Sequence, residues 1–215
     1  YWALAASIGT FGHNEWAARL PGALAFVGTG LLLFGLGRRL CRSQPSLPAV
    51  AWALSLPPLA GANIISTDAL LTFFETAAMY AFVEAWCRDG TDRRRWLLGM
   101  WCCWGLAFMT KGPPGLLPLL AMVAFLALHD RARLRGVFAP AGLMLFAAVG
   151  LTWFVLIVRQ LPDSLGYFLG YEVYDRLFTA AHDRNAQWYG AFEVYLPMLL
   201  AGALPWTALA LKDAG

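Results

Sequence analysis

The chain has 215 residues, 60% hydrophobic and 13% charged, with a formal net charge of +3 and a mean hydropathy of +0.57. Soluble domains carry about 25% charged residues, so the polar shell of a soluble protein is missing. High apolar content without a Gly-X-Y or heptad pattern excludes disordered, collagen-like and coiled-coil chains, and the small net charge argues against nucleic-acid binding.

What remains is an integral membrane protein. Lipid offers no partner to the backbone, and the period-2 alternation of a β-barrel is absent, so the spans are helices. Residues 1–19 read as an outer segment with no signal-peptide pattern. In it, Glu15 and Arg19 stand four apart and make a favourable helical pair. Apolar stretches follow at 20–37, 47–65, 69–87, 96–109, 116–128, 137–158 and 191–211. At about 20 residues per span the expectation is an all-α polytopic transmembrane bundle. It has about seven spans and one long outer loop, in a single membrane domain over 1–215.

The links alternate in charge. Arg38, Arg39 and Arg42, then Arg88 and Arg93–Arg95, then Arg131, Arg133 and Arg135, with Lys212, put eleven of the 16 basic residues on one side. The positive-inside rule makes that side cytoplasmic, and these links read as topology signals. The other five, Arg19, Lys111, Arg159, Arg176 and Arg184, fall outside, so chemistry is expected on the outer, periplasmic face of a plasma (inner) membrane. Cys41, Cys87, Cys102 and Cys103 show no metal spacing and read as small apolar fillers.

Three outer features carry candidate chemistry. Asp68 opens a span, and Thr72 and Glu75 continue its stripe. Asp68 reads either as a catalytic or sugar-binding carboxylate or as a helix cap. Glu75 reads as a cavity-facing acid or as an interhelical hydrogen bond. Lys111 precedes Gly112-Pro113-Pro114-Gly115, where the prolines must break the helix. A lysine beside the next helix N-terminus suits a phosphate, while a snorkelling lysine is the bland alternative. The loop at 159–190 gathers Tyr171, Glu172, Tyr174, Asp175, Arg176, His182, Asp183 and Arg184. Aromatic rings and guanidinium groups suit sugar and phosphate. Glu172 and Arg176 also make a simple i, i+4 pair, and one histidine near Asp183 is a weak metal signal.

These segments together resemble the bacterial membrane GT-C glycosyltransferases, a superfamily that includes the aminoarabinose transferases of lipid A and the protein O-mannosyltransferases. His13 to Pro21 resembles the family's E-x-x-x-R-L-P entry to a span. Ser66-Thr67-Asp68-Ala69-Leu70-Leu71 is similar to its later acidic span start, and Gly105 to Pro113 to its G-L-A-x-x-T-K-G-P turn. Residues 167–182 with Leu204-Pro205-Trp206 resemble its long outer loop and the span after it. The resemblance implies transfer of a sugar from a polyprenyl-phosphate carrier to lipid A, a protein or another glycan on the outer face. It implies a role for Asp68 in the active site and binding of substrate or phosphate by Glu15, Lys111, Glu172, Arg176, His182 and Arg184. No obligatory cofactor follows, and a divalent metal is left open.

In the family a first span and an outer loop with the main catalytic acid precede a Tyr-Trp like Tyr1-Trp2. The expectation is therefore a piece of a longer enzyme, inactive alone, with its main base upstream. The rival readings are a lipid or solute transporter (a flippase), with Glu75 and Glu193 as its deeper ionisable groups, and a non-catalytic paralogue.

Overall fold

The computed structural model describes residues 1–168, 170, 189–204, 206 and 207. Among these, every regular element is helical. The chain forms two compact units, one of residues 1–54 and 58–153, the other of residues 55–57 and 154–215.

The first unit opens with α1 (Trp2–Phe11), within the segment read as an outer one. Its run Trp-Ala-Leu-Ala-Ala-Ser-Ile is apolar enough to pack, and it lies against α2 (Glu15–Leu40). The buried Ser7 hydroxyl donates to the Ala17 carbonyl at 2.6 Å, which ties the two helices together. Asn14 caps α2, its side chain accepting from the Ala17 N–H at 2.8 Å. At 26 residues α2 is about 39 Å long, more than a bilayer core needs, and the 20–37 stretch lies within it.

The predicted 47–65 span is broken. Leu47–Leu54 (α3) and Leu56–Asn63 (α4) meet at Ser55, just before Pro57 and Pro58. A proline removes a helix donor and clashes with the preceding turn. Trp52 of α3 donates from its indole Nε1 to the Phe26 carbonyl of α2 at 3.1 Å.

α5 (Asp68–Trp86) and α6 (Gly90–Lys111) form the centre of this unit. Ala78, Ala81 and Ala85 give α5 a smooth face, which accepts Met100, Trp104 and Ala107 of α6, all fully buried. Small residues on one helix let the other approach closely. α6 starts six residues before the predicted stretch, so the arginine-rich link is mostly helix. Both helices are long enough to span, but their charged residues, Glu75 in the middle of α5 among them, lower their mean hydropathy. The two helices of clearest span character are α2 and residues 140–160.

α6 ends at Lys111, and Gly112 turns the chain with φ +70°. A 3-10 turn, Pro113–Leu116, leads into α7 (Leu117–His129). Short α8 (Arg131–Val137) follows. Then come α9 (Pro140–Phe146), a π turn at Ala147–Leu151 and α10 (Thr152–Gln160), together one long rod. At the π turn Gly150 meets Gly105 of α6 backbone to backbone. A Cβ on Gly150 would lie 3.1 Å from the Gly105 carbonyl oxygen.

The second unit holds the later part of α10, the single turn α11 (Ser164–Gly166) and α12 (Gly190–Gly202). Phe154 and Phe168 meet edge to face at 5.3 Å. Gly202 lies against Pro57, whose Cγ would be 2.6 Å from an added Cβ.

Candidate functional site

The two outer signals of the first unit come together. Asp68 is the first residue of α5 and Lys111 the last of α6. The antiparallel packing of these helices brings the Lys111 ammonium onto Asp68 Oδ1. Asp68 does not cap its own helix. Thr67 holds the cap position without a side-chain bond, and the Asp68 N–H donates to the Ser66 hydroxyl at 3.2 Å. Both side chains reach solvent, Asp68 with 59% and Lys111 with 38% of its side chain exposed. The pair is thus formed yet open to a ligand. Thr72 donates to the Asp68 carbonyl at 2.9 Å. Glu75, half-buried on the same stripe, lies within electrostatic reach of Lys111.

One expectation for Lys111 changes. The next helix was to offer free N–H groups beside it. Pro113 and Pro114 have none, the Gly115 N–H donates to the Gly112 carbonyl at 3.0 Å, and α7 begins only at Leu117. Lys111 acts there as a point charge without a helix N-terminus behind it. Gly115 is required for the tight turn, since a Cβ there would lie 2.7 Å from the Ala107 carbonyl.

An apolar groove of about 430 Å³ runs between α1, α2 and α5, lined by Ala6, Leu24, Leu70 and Phe73 among others but by neither Asp68 nor Lys111. Leu70 is only two residues past Asp68. Glu15 sits in the first turn of α2, exposed, with Arg19 at 3.8 Å, and no described contact joins it to Asp68 or Lys111. Glu172, Arg176, His182 and Arg184 lie outside the described residues. Among the described residues, no three of His, Cys, Asp and Glu cluster as a metal site would need. All four cysteines are free thiols.

Glu84 was not singled out in the sequence. It is 2% exposed at the arginine-rich end of α5. Arg39 of α2 holds it with two bonds, Nε to Oε1 at 2.7 Å and Nη2 to Oε2 at 2.9 Å, and Arg88 grips Oε2 from the other side. Arg88 also covers the Trp96 ring at 5.2 Å. Arg133 lies over Trp86 at 4.8 Å and donates to its carbonyl at 2.8 Å. The arginines of the arginine-rich links do more than carry charge, because three of them fasten helices. The visible clue was the i, i+4 spacing of Glu84 and Arg88.

Fold and site together define a polytopic helical membrane protein with an open acid–base pair at one end of its bundle. The family model described as dolichyl-phosphate-mannose-protein mannosyltransferase matches residues 1–158, and the chain belongs to that family. It is 33% identical over 208 residues to an undecaprenyl phosphate-alpha-4-amino-4-deoxy-L-arabinose arabinosyl transferase of Erwinia tasmaniensis, covering 93% of this chain and 36% of that protein. A protein of the same description from Edwardsiella ictaluri is also 33% identical, over 97% of this chain and 38% of its own length. The chain thus spans a little over a third of these relatives. The crystal structure of ArnT from Cupriavidus metallidurans in the apo state superposes with a TM-score of 0.81 at 22% identity, covering 97% of this chain and 38% of that one. That likeness establishes the fold.

Proposed function

We propose that the full-length protein is a glycosyltransferase that moves a sugar from a polyprenyl-phosphate donor to a lipid acceptor, at the periplasmic face of the inner membrane. The observation that carries this reading is the solvent-open Asp68–Lys111 pair, since the phosphate of such a donor needs a fixed cation. The groove between α1, α2 and α5 offers apolar wall within the same unit. Membership of the mannosyltransferase family and the activities by which its relatives are named support it.

In this reading Lys111 neutralises the phosphate as it leaves with the electrons of the broken glycosidic bond. Asp68 holds the ammonium in place and accepts from a sugar or acceptor hydroxyl. Glu15, Glu172, Arg176, His182 and Arg184 are assigned to binding of substrate or phosphate. The base that deprotonates the acceptor is assigned to the portion of the full-length protein outside these residues.

The test is sugar transfer from a polyprenyl-phosphate donor by full-length protein in vesicles. Asp68→Asn and Lys111→Ala are each expected to lower turnover by about 10² or more, the scale of a lost transition-state charge contact. Wild-type rates in both variants would reject the assignment.

A further inference from the structure

A different cavity lies at the arginine-rich end. It measures about 480 Å³, between the first turns of α6 and the junction of α8 with α9, a volume in the roughly 300–1,000 Å³ range of small-ligand sites. Arg93 and Arg94 line one part of it, while Leu98, Pro140 and Ala141 make apolar wall. Arg93 is half-buried. Gly136 leaves the space for its guanidinium, since a Cβ there would lie 3.2 Å from Nη1.

Among the described residues neither arginine has a carboxylate partner. Asp92 serves Arg95, and Asp130 serves Arg133. Asp89 also lines the cavity, and it lies 4.0 Å from Arg133. A partly desolvated cation without a counter-ion is unfavourable, and a planar guanidinium fork matches phosphate oxygens. A free inorganic anion would gain nothing from the apolar wall, whereas a lipid uses both parts. By the positive-inside rule this end meets the cytoplasmic leaflet, where anionic lipids concentrate and basic pockets between helices bind their headgroups.

We propose that this cavity seats an anionic phospholipid of the cytoplasmic leaflet, with Arg93 and Arg94 on its phosphate and its glycerol and upper acyl carbons along Leu98, Pro140 and Ala141. The site is separate from the Asp68–Lys111 pair, which lies at the opposite end of α6.

The experiment is native mass spectrometry of the purified full-length protein with phosphatidylglycerol, phosphatidylcholine or inorganic phosphate added. Wild type is expected to retain phosphatidylglycerol in preference to phosphatidylcholine. Arg93→Gln/Arg94→Gln should weaken that adduct roughly tenfold or more, while Arg38→Gln/Arg42→Gln, with the same loss of charge elsewhere, should not. Ala139→Phe keeps both arginines and adds bulk at a residue that lines the cavity, so it should weaken the adduct as well. Folding of each variant is checked by its thermal transition, and Arg94→Gln alone, at an exposed position, serves if the double variant unfolds. Equal retention of the two lipids, equal losses in the two arginine pairs, or displacement of lipid by millimolar phosphate would each overturn the proposal.

Discussion

Two ion pairs on α5 separate chemistry from stability. Asp68–Lys111 is solvent-open, and such pairs contribute about 0–1 kcal/mol. Asp68→Asn is therefore expected to leave the thermal transition almost unchanged while turnover falls. Glu84 is buried between two arginines. Glu84→Ala strands Arg39 and Arg88, but both still reach solvent, 40% and 28% exposed, so the loss is expected to be about 1.5–3 kcal/mol, the scale of a hydrogen bond to a charged group. A thermal shift in detergent checks this, with Glu84→Gln expected to lie between Ala and wild type because its amide oxygen still accepts. If Glu84→Ala melts like wild type, the clamp carries no stability. The sequence exposed Asp68 and Lys111 because each breaks a local pattern, one at a span mouth and one before two prolines. It concealed the Arg39–Glu84 bond, because partners 45 residues apart meet only through helix packing.

Among the elements, α2 and α5 show how a membrane protein packs without a hydrophobic driving force. Gly28 and Gly35 are notches one heptad apart, and Phe73 and Tyr80 fill them, with ring atoms 2.6 and 2.8 Å from where a Cβ would stand. Gly28→Ala pushes on a ring that can rotate, so a cost of about 1–3 kcal/mol, the range of overpacking, is expected, and Phe73→Leu should recover part of it. Gly105→Ala presses on Val149 and on the Gly150 backbone, which cannot rotate away. It should destabilise more than Gly28→Ala, as thermal shifts of both variants will show. If the two cost the same, backbone approach does not limit the α6 packing. Helix positions were legible from apolar runs, and the break at Pro57-Pro58 from proline chemistry. α1 was hidden because its 10 residues fall short of a span, and the π turn because nothing local distinguishes it from α-helix.

At the scale of the whole molecule, sidedness follows from charge. Cys41 and Cys87 are exposed, while Cys102 and Cys103 are half-buried within α6. A membrane-impermeant maleimide is expected to label Cys41 and Cys87 in inverted vesicles and not in intact cells. A Ser66→Cys variant should show the reverse. Labelling of Cys41 from outside would invert the topology and with it the placement of Asp68. The arginine distribution yields this expected orientation without coordinates, since it depends on composition per link and not on contacts.

Three contacts between α2 and α5 share one offset: Gly28 with Phe73, Gly35 with Tyr80, and Arg39 with Glu84, 45 residues apart. The two helices run in the same direction as one ruled strut, with the arginine clamp as its foot. Asp68 stands 16 residues above Glu84, about 24 Å away at helical rise. A slip of one residue would undo all three contacts at once, so the strut has a single permitted setting. The clamp at the foot thus fixes the height at which the carboxylate at the top is presented. A variant at Glu84, remote from any sugar, is for this reason expected to lower turnover through misplacement of Asp68 even where the protein still folds.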